Sequence, residues 1–139
     1  MRMVLDTDVL VAAFRSEHGA SRQLLIAALD ERFVLLASTA MWLEYEAVMT
    51  RPSQLAAMQL NATEVGDALA ALATVAEQVL IHFLWRPVLT DAEDEHVLDL
   101  AMNSRADMLV TFNQGDFAEA SRTFQIEVVT PAVALRKLR

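Results

Sequence analysis

The chain contains no cysteine. Disulfides, thiolate zinc sites, iron–sulfur clusters and cysteine nucleophiles are excluded together, and any metal must be held by oxygen or imidazole. Lysine is nearly missing as well: of the 11 basic residues the one lysine is Lys137, and the rest are arginine. Chemistry that needs a lysine beside a reactive carboxylate is confined to that single residue near the C-terminus. No apolar run approaches the ~18 residues of a membrane span. The opening residues carry no signal-peptide pattern, so a cytoplasmic protein without a membrane partner is expected. Blocks of like charge, low-complexity tracts and internal repeats are also missing, which excludes disorder and repeat architectures. With 55% hydrophobic and 22% charged residues, the 139-residue chain should fold as one domain over 1–139.

The net charge of −8 is informative. Proteins that hold nucleic acid electrostatically usually present a basic patch, so a plain nucleic-acid binder is disfavoured. Excess acid has a second explanation, which is a set of carboxylates gathered into a site that bound cations neutralise.

The first eight residues are where that explanation starts. An apolar run, Met3-Val4-Leu5, stops at Asp6-Thr7-Asp8 and resumes at Val9. A short apolar run is what a buried parallel strand looks like, and ligands of open α/β sheets sit beyond the carboxyl ends of such strands. Asp6 then stands at that mouth as a metal ligand, with Asp8 as a helix cap or a supporting group. The local alternative is that Asp8 caps the next helix and Asp6 is a turn residue.

Along the chain, 22–31 has the spacing of a helix, with Ser21 as its cap. A second short strand is expected at 33–37. Ser38-Thr39 then caps a helix through Met49 that Arg51-Pro52 stops. A short helix and turn follow over 53–61. An alanine-rich helix capped by Thr63 ends near Glu77, and a third strand is expected at 79–83. Thr90-Asp91-Ala92-Glu93 fits a capping box for a helix that carries Val97, Leu98 and Ala101 inward and ends near Arg105. Strands at 108–111 and 126–129 are separated by a loop with at most one helical turn, and Pro131 opens a last helix. Strands alternating with helices argue for a parallel sheet of about five strands, covered on both faces. Asp6, Ser38 and Thr111-Asn113 all follow strand ends and therefore share one edge of it.

Some polar residues sit where apolar ones belong. On the helix after Thr39, Met41, Tyr45 and Val48 form the inward stripe, and Glu44 borders it while Glu46 faces water. A carboxylate at that rim requires a partner: a metal, or an arginine such as Arg51. Asp94 projects toward the core side of its helix, where Glu95 points outward; its alternative role is a helix-dipole contact. Asp99 and His96 read as surface residues, and His82 as a core residue within a strand. After the fourth strand, Asn113 and Asp116 can offer oxygen, or serve ordinary turn chemistry. Thr111 can orient a carboxylate or a metal-bound water. Three or four hard oxygen ligands select Mg²⁺ or Mn²⁺, and an ion so held attracts a phosphodiester and activates water.

The ordered motifs resemble a PIN-domain ribonuclease of the kind that serves as toxin in bacterial toxin–antitoxin pairs (VapC-like). They are Val4-Leu5-Asp6-Thr7-Asp8-Val9-Leu10, Ser38 with Leu43-Glu44-Tyr45-Glu46-Ala47-Val48 and Arg51-Pro52, Asp91 to Glu95 with Leu98 and Ala101, Ala106-Asp107 through Thr111-Phe112-Asn113 with Asp116-Phe117, and Val128 to Pro131. The resemblance implies an α/β fold, a three-layer α/β/α sandwich, with homodimerisation, a small antitoxin partner and an RNA substrate. It places the acidic quartet on Asp6, Glu44, Asp94 and the segment after Thr111. There Asn113 stands where many members have aspartate and Asp116 lies three residues further on, so one firmly held Mg²⁺ with a looser second ion is expected. Contact with RNA would fall to arginines such as Arg15, Arg51 or Arg105. Two other classes fit parts of the pattern. One is a PIN-like protein that has lost activity and only binds a partner. The other is a haloacid-dehalogenase-like phosphatase, which also opens on a strand followed by Asp-x-Asp but needs a lysine that only Lys137 could supply.

Overall fold

The computed structural model describes residues 1–82 and 94–139. Among these, five strands form one parallel sheet: β1 (Arg2–Leu5), β2 (Val34–Ala37), β3 (Glu77–Gln78), β4 (Met108–Val110) and β5 (Glu127–Val129), in the order β3-β2-β1-β4-β5. Met3, Val4 and Leu5 are all buried to 1% exposure or less. Successive strand residues point to opposite faces, so a strand buried at every position has a layer packed on each side. The sheet is thus the middle of an α/β fold, with eight helices around it among the described residues: α1 (Thr7–Arg15), α2 (Ala20–Leu29), α3 (Thr39–Met49), α4 (Pro52–Met58), α5 (Ala62–Val75), α6 (Glu95–Ser104), α7 (Ala118–Phe124) and α8 (Pro131–Leu138). None of the described helices is long and apolar enough to cross a membrane.

The strand order decides where a ligand can sit. From β1 the chain builds outward to β2 and β3, then returns to the other side of β1 for β4 and β5. The order reverses between β1 and β4, and the crevice beyond their carboxyl ends is the place where open α/β sheets bind ligands. Leu5 pairs with Val110. The ladder continues one step past the strands, with Asp6 N–H donating to the Val110 carbonyl and Thr111 N–H to that of Val129, both at 2.9 Å.

The helix starts follow local chemistry, with corrections. Ser38 caps α3 through its Oγ, which accepts from Met41 N–H at 3.2 Å. Asn61, not Thr63, caps α5, in a box where its side chain and that of Glu64 each accept the other's backbone N–H. Gly19, not Ser21, precedes α2, and Ser21 is buried in its first turn. The capping box at 90–93 lies outside the described residues; α6 begins at Glu95, with Asp94 in the cap position.

The third strand lies two residues earlier than its apolar pattern indicates. Glu77 and Gln78 pair with Leu36 and Ala37, and Val79 N–H adds a bond to the Ala37 carbonyl at 2.8 Å. With β2 ending there the ladder has no further partner, and Leu80 is 71% exposed. His82 is likewise exposed and outside any strand. The segment after Asn113 is more helical than a loop: one 3-10 turn over Gln114–Phe117 leads into α7. Phe117 and Ala120 are its fully buried residues, with Phe124 packed partly buried against the core, too few for a helical period to show. On α6, Glu95 and Asp99 are buried at 3% and 2% exposure, contrary to their expected outward positions. That helix packs against β1, β2 and α3 together, so more than one of its faces is covered.

Candidate active site

Two strand ends and one helix start meet at Asp6. It ends β1 and caps α1, its Oδ1 accepting from Thr7 N–H at 2.8 Å. Its Oδ2 accepts from Thr111 Oγ1 at 2.7 Å, from the end of β4. Burial pushes the Asp6 carboxyl above its ordinary range, opposed by these two hydrogen bonds and reinforced by the charge of Glu44. One residue before Asp6, the Leu5 carbonyl accepts from the buried Tyr45 hydroxyl at 2.5 Å. That bond pins α3 to the end of β1 and brings Glu44, the preceding residue, to the same mouth. Burial away from water holds the Tyr45 phenol protonated.

Asp8 lies in the first turn of α1 and is not its cap. Its Oδ2 accepts from Phe112 N–H at 3.2 Å, while its Oδ1 is buried with no hydrogen-bond partner among the described residues. Desolvation first, and then the neighbouring Asp6 charge, push its carboxyl up to about 6. The pair differs in how fully its oxygens are hydrogen-bonded among the described residues. Among the described residues Asp6 is the better satisfied of the two, and Asp8 is the acid with an oxygen to spare.

Glu44 has found partners other than an arginine. His96 Nε2 lies 3.1 Å from one of its oxygens, and Thr7 Oγ1 donates to the other. The His96 contact holds Glu44 below its ordinary value, and Glu44 raises the His96 imidazole in return. Arg51 adds a weaker, through-space contribution. The expected surface placement of His96 is thus corrected: it is half-buried, with Nδ1 enclosed and unpartnered among the described residues. A sequence signal for it is hard to name, since its partner lies 52 residues away on another helix.

The acids among these groups line a cleft of about 620 Å³, whose walls include Asp6, Thr7, Asp8, Glu44, Asp94 and Asn113. Asp6, Glu44, Asp94 and Asn113, candidates from four distant segments, are therefore brought together. Asp116 is not: it is exposed on the 3-10 turn and absent from the cleft wall, its backbone N–H donating to the Asn113 carbonyl at 3.1 Å. Ser38 also stays off the wall, buried as the cap of α3. Thr111 is fully buried behind Asp6. Arg15 and Arg51 line the cleft and supply positive charge beside the acids. Arg105 does not line it; it closes α6 in a left-handed conformation. Lys137 is paired with Glu127 at 2.6 Å and is likewise absent from the wall.

The donor chemistry suits a hard divalent cation. The wall offers carboxylate and amide oxygens, and the enclosed Asp8 Oδ1, unpartnered among the described residues and beside raised carboxyls, marks a deficit of positive charge. No three histidines or acids among the described residues already converge closely enough to hold an ion. Glu44 in particular is engaged by His96 and Thr7.

No curated protein matches the chain. Residues 2–115 match the model of the PIN domain, a match that takes in β1 through β4 and every residue of the cleft wall. The chain belongs to the PIN domain family, whose members are generally nucleases.

Proposed function

We propose that this protein is a divalent-metal-dependent endoribonuclease that hydrolyses RNA phosphodiester bonds. The observation that carries the reading is the convergence of Asp6, Asp8, Glu44 and Asp94 on one cleft at the β1/β4 crevice. Asp6, Asp8, Asp94 and the Asn113 amide oxygen would hold Mg²⁺ or Mn²⁺, with Glu44 joining when His96 releases it. Such an ion neutralises the acids, draws in a phosphate and lowers the pKa of an attacking water. The chain's own groups do the rest. Thr111 and Thr7 N–H keep Asp6 oriented and favour its charged form. Arg15 and Arg51 face phosphate oxygens from the cleft wall, local cations that offset a net charge of −8. Asp116 stays outside the proposed set, which leaves the neutral Asn113 as the fourth oxygen donor and favours one firmly held ion.

The toxin role, a small antitoxin partner, homodimerisation and a cytoplasmic location belong to the same proposal and rest on the resemblance of the motifs. The phosphatase alternative loses ground, because its lysine would have to be Lys137, which pairs with Glu127 and is absent from the cleft wall. One observation favours an inactive, partner-binding PIN protein instead: Glu44 has both oxygens engaged by His96 and Thr7.

An Mg²⁺ and Mn²⁺ titration followed by cleavage of single-stranded RNA, on wild type, Asp6→Ala and Asp94→Asn, separates the readings. Metal-dependent cleavage lost in both variants supports the nuclease. Unchanged cleavage in Asp94→Asn breaks the assignment, and a wild type that cleaves nothing, with full metal binding kept in Asp6→Ala, moves it to the inactive class. Turnover of small phosphomonoesters with inert RNA moves it to the phosphatases.

A further inference from the structure

Phe112 is the one aromatic among the exposed large hydrophobic residues of the described chain, at 52% exposure. A phenylalanine left half in water forgoes much of the stabilisation its burial would bring. Its backbone is nevertheless held firmly. Thr111 N–H bonds to the Val129 carbonyl at 2.9 Å, Phe112 N–H to Asp8 Oδ2 at 3.2 Å, and Asn113 N–H to Thr111 Oγ1 at 2.9 Å. The ring is therefore mounted on a rigid turn whose other contacts are the acids of the cleft.

Phe112 also divides two cavities. On one side is the acid-lined cleft. On the other is a pocket of about 350 Å³, walled by Ala12, Ala20, Pro131 and Ala132 with Phe112 itself. Ala12, Ser16 and Phe112 line both. A small apolar pocket that shares part of its wall with a phosphate-handling cleft suits a flat, uncharged group attached to the phosphate being handled.

We propose that Phe112 and this pocket form a nucleobase subsite, where the base next to the scissile phosphate stacks on the Phe112 ring. The inference rests on the nuclease reading and adds the feature of the substrate that is recognised. It also answers a difficulty of charge. A chain of net charge −8 can gain little from a broad basic surface, whereas base–aromatic stacking depends on a π face and tolerates any base. The substrate is then single-stranded, because a base inside a duplex has no free face to offer.

The test uses the full-length protein with Phe112→Ala, Phe112→Leu and Phe112→Trp, and single-stranded RNA oligonucleotides with or without an abasic position next to the cut. Phe112→Ala and Phe112→Leu are expected to raise KM by about tenfold or more, the weight of one stack, at nearly unchanged kcat. Phe112→Trp should keep the wild-type KM. The abasic substrate should cost wild type the same factor and cost Phe112→Ala nothing further. Unchanged KM in Phe112→Ala, or an abasic penalty that persists in it, overturns the subsite. Thermal melting of each variant separates lost stacking from lost folding, because a structural role would move the melt and leave the abasic comparison intact.

Failure of the nuclease reading is distinguished by binding of the same single-stranded RNA oligonucleotide without added divalent metal, so that no metal-dependent cleavage occurs, followed by fluorescence anisotropy. If wild type cleaves nothing yet binds this probe more tightly than Phe112→Ala, the subsite stands while the catalytic reading falls. Equal binding by both overturns the subsite.

Discussion

Thr111 Oγ1 donates to Asp6 Oδ2 at 2.7 Å across 105 residues of sequence, joining the ends of the two strands between which the sheet reverses its order. Both side chains are buried. The same Thr111 oxygen accepts from Asn113 N–H, so a single hydroxyl sets the position of an acid and of the turn that faces it.

Thr111→Val keeps the shape and removes the hydroxyl. Asp6 then loses a donor to its charged form, and the mutation is expected to cost about 1.5–3 kcal/mol at neutral pH. Thr111→Ser should recover most of it. Urea denaturation of the three proteins without metal measures the difference, and equal stability of the valine variant would show that Asp6 does not depend on the bond.

Asp8 gives a pH dependence with a definite sign. Its carboxyl is raised from 3.8 to about 6 on folding, so between those values the folded state binds more protons than the unfolded chain. Stability then falls as pH rises through this window. Because the residue is only half-buried, solvent screening limits the loss to about 1 kcal/mol. Relative to Asp8→Asn, metal-free wild type should lose that amount between pH 4 and pH 8, followed by denaturation across the range. Saturating Mg²⁺ should abolish the loss in wild type, since a bound cation favours the carboxylate. Parallel curves for the two proteins would contradict the assignment.

The Glu44–His96 contact behaves in the opposite way at each end of its range. Glu44 is lowered from 4.5, so its share is present above that value and lost as pH falls through the folded pKa. His96 is raised from 6.5, so its share is complete below that value and lost as pH rises through the folded pKa. His96→Gln should therefore be most costly between about pH 4.5 and 6.5, by about 1 kcal/mol for this partly exposed pair, and nearly neutral at pH 9. The same variant should bind Mg²⁺ more tightly at pH 6, because Glu44 no longer has a competing cation. Calorimetric titration checks the affinity, and a weaker Mg²⁺ site would count against Glu44 as a ligand.

Gln125 closes α7 at φ 57°, a left-handed conformation that costs a side chain and suits glycine. Gln125→Gly is expected to stabilise the protein by about 0.5–1 kcal/mol without touching the cleft. Thermal melting tests it, and a destabilised variant would mean that the exposed glutamine makes a contact worth more than the strain.

Much of the layout was legible because its causes are local. The apolar runs at 3–5, 33–37 and 108–111 needed burial on both faces, and that alone makes them central strands. Ser38 marks a helix start through a hydrogen bond within a single turn, and Pro131 through its fixed φ at the first helical position. Asp6, Glu44 and Asp94 stood out because acids at strand ends and at the rim of apolar stripes need compensation. The misplaced third strand and the unforeseen α7 have another cause: a strand extends only while a partner pairs with it, and two fully buried residues are too few for a period.

What the sequence by itself determined, then, is the alternation of strands and helices and the set of acids that had to be accommodated at one edge. The tertiary structure decided which of them meet. It put Asp116 outside, gave Glu44 to His96 and Thr7, left Asp8 rather than Asp6 with an oxygen unpartnered among the described residues, and set Phe112 on the ridge between two pockets. Periodicity reports which face of an element is buried. Strand order and the packing of one helix against another join residues 37 to 105 positions apart, and no local pattern carries that information.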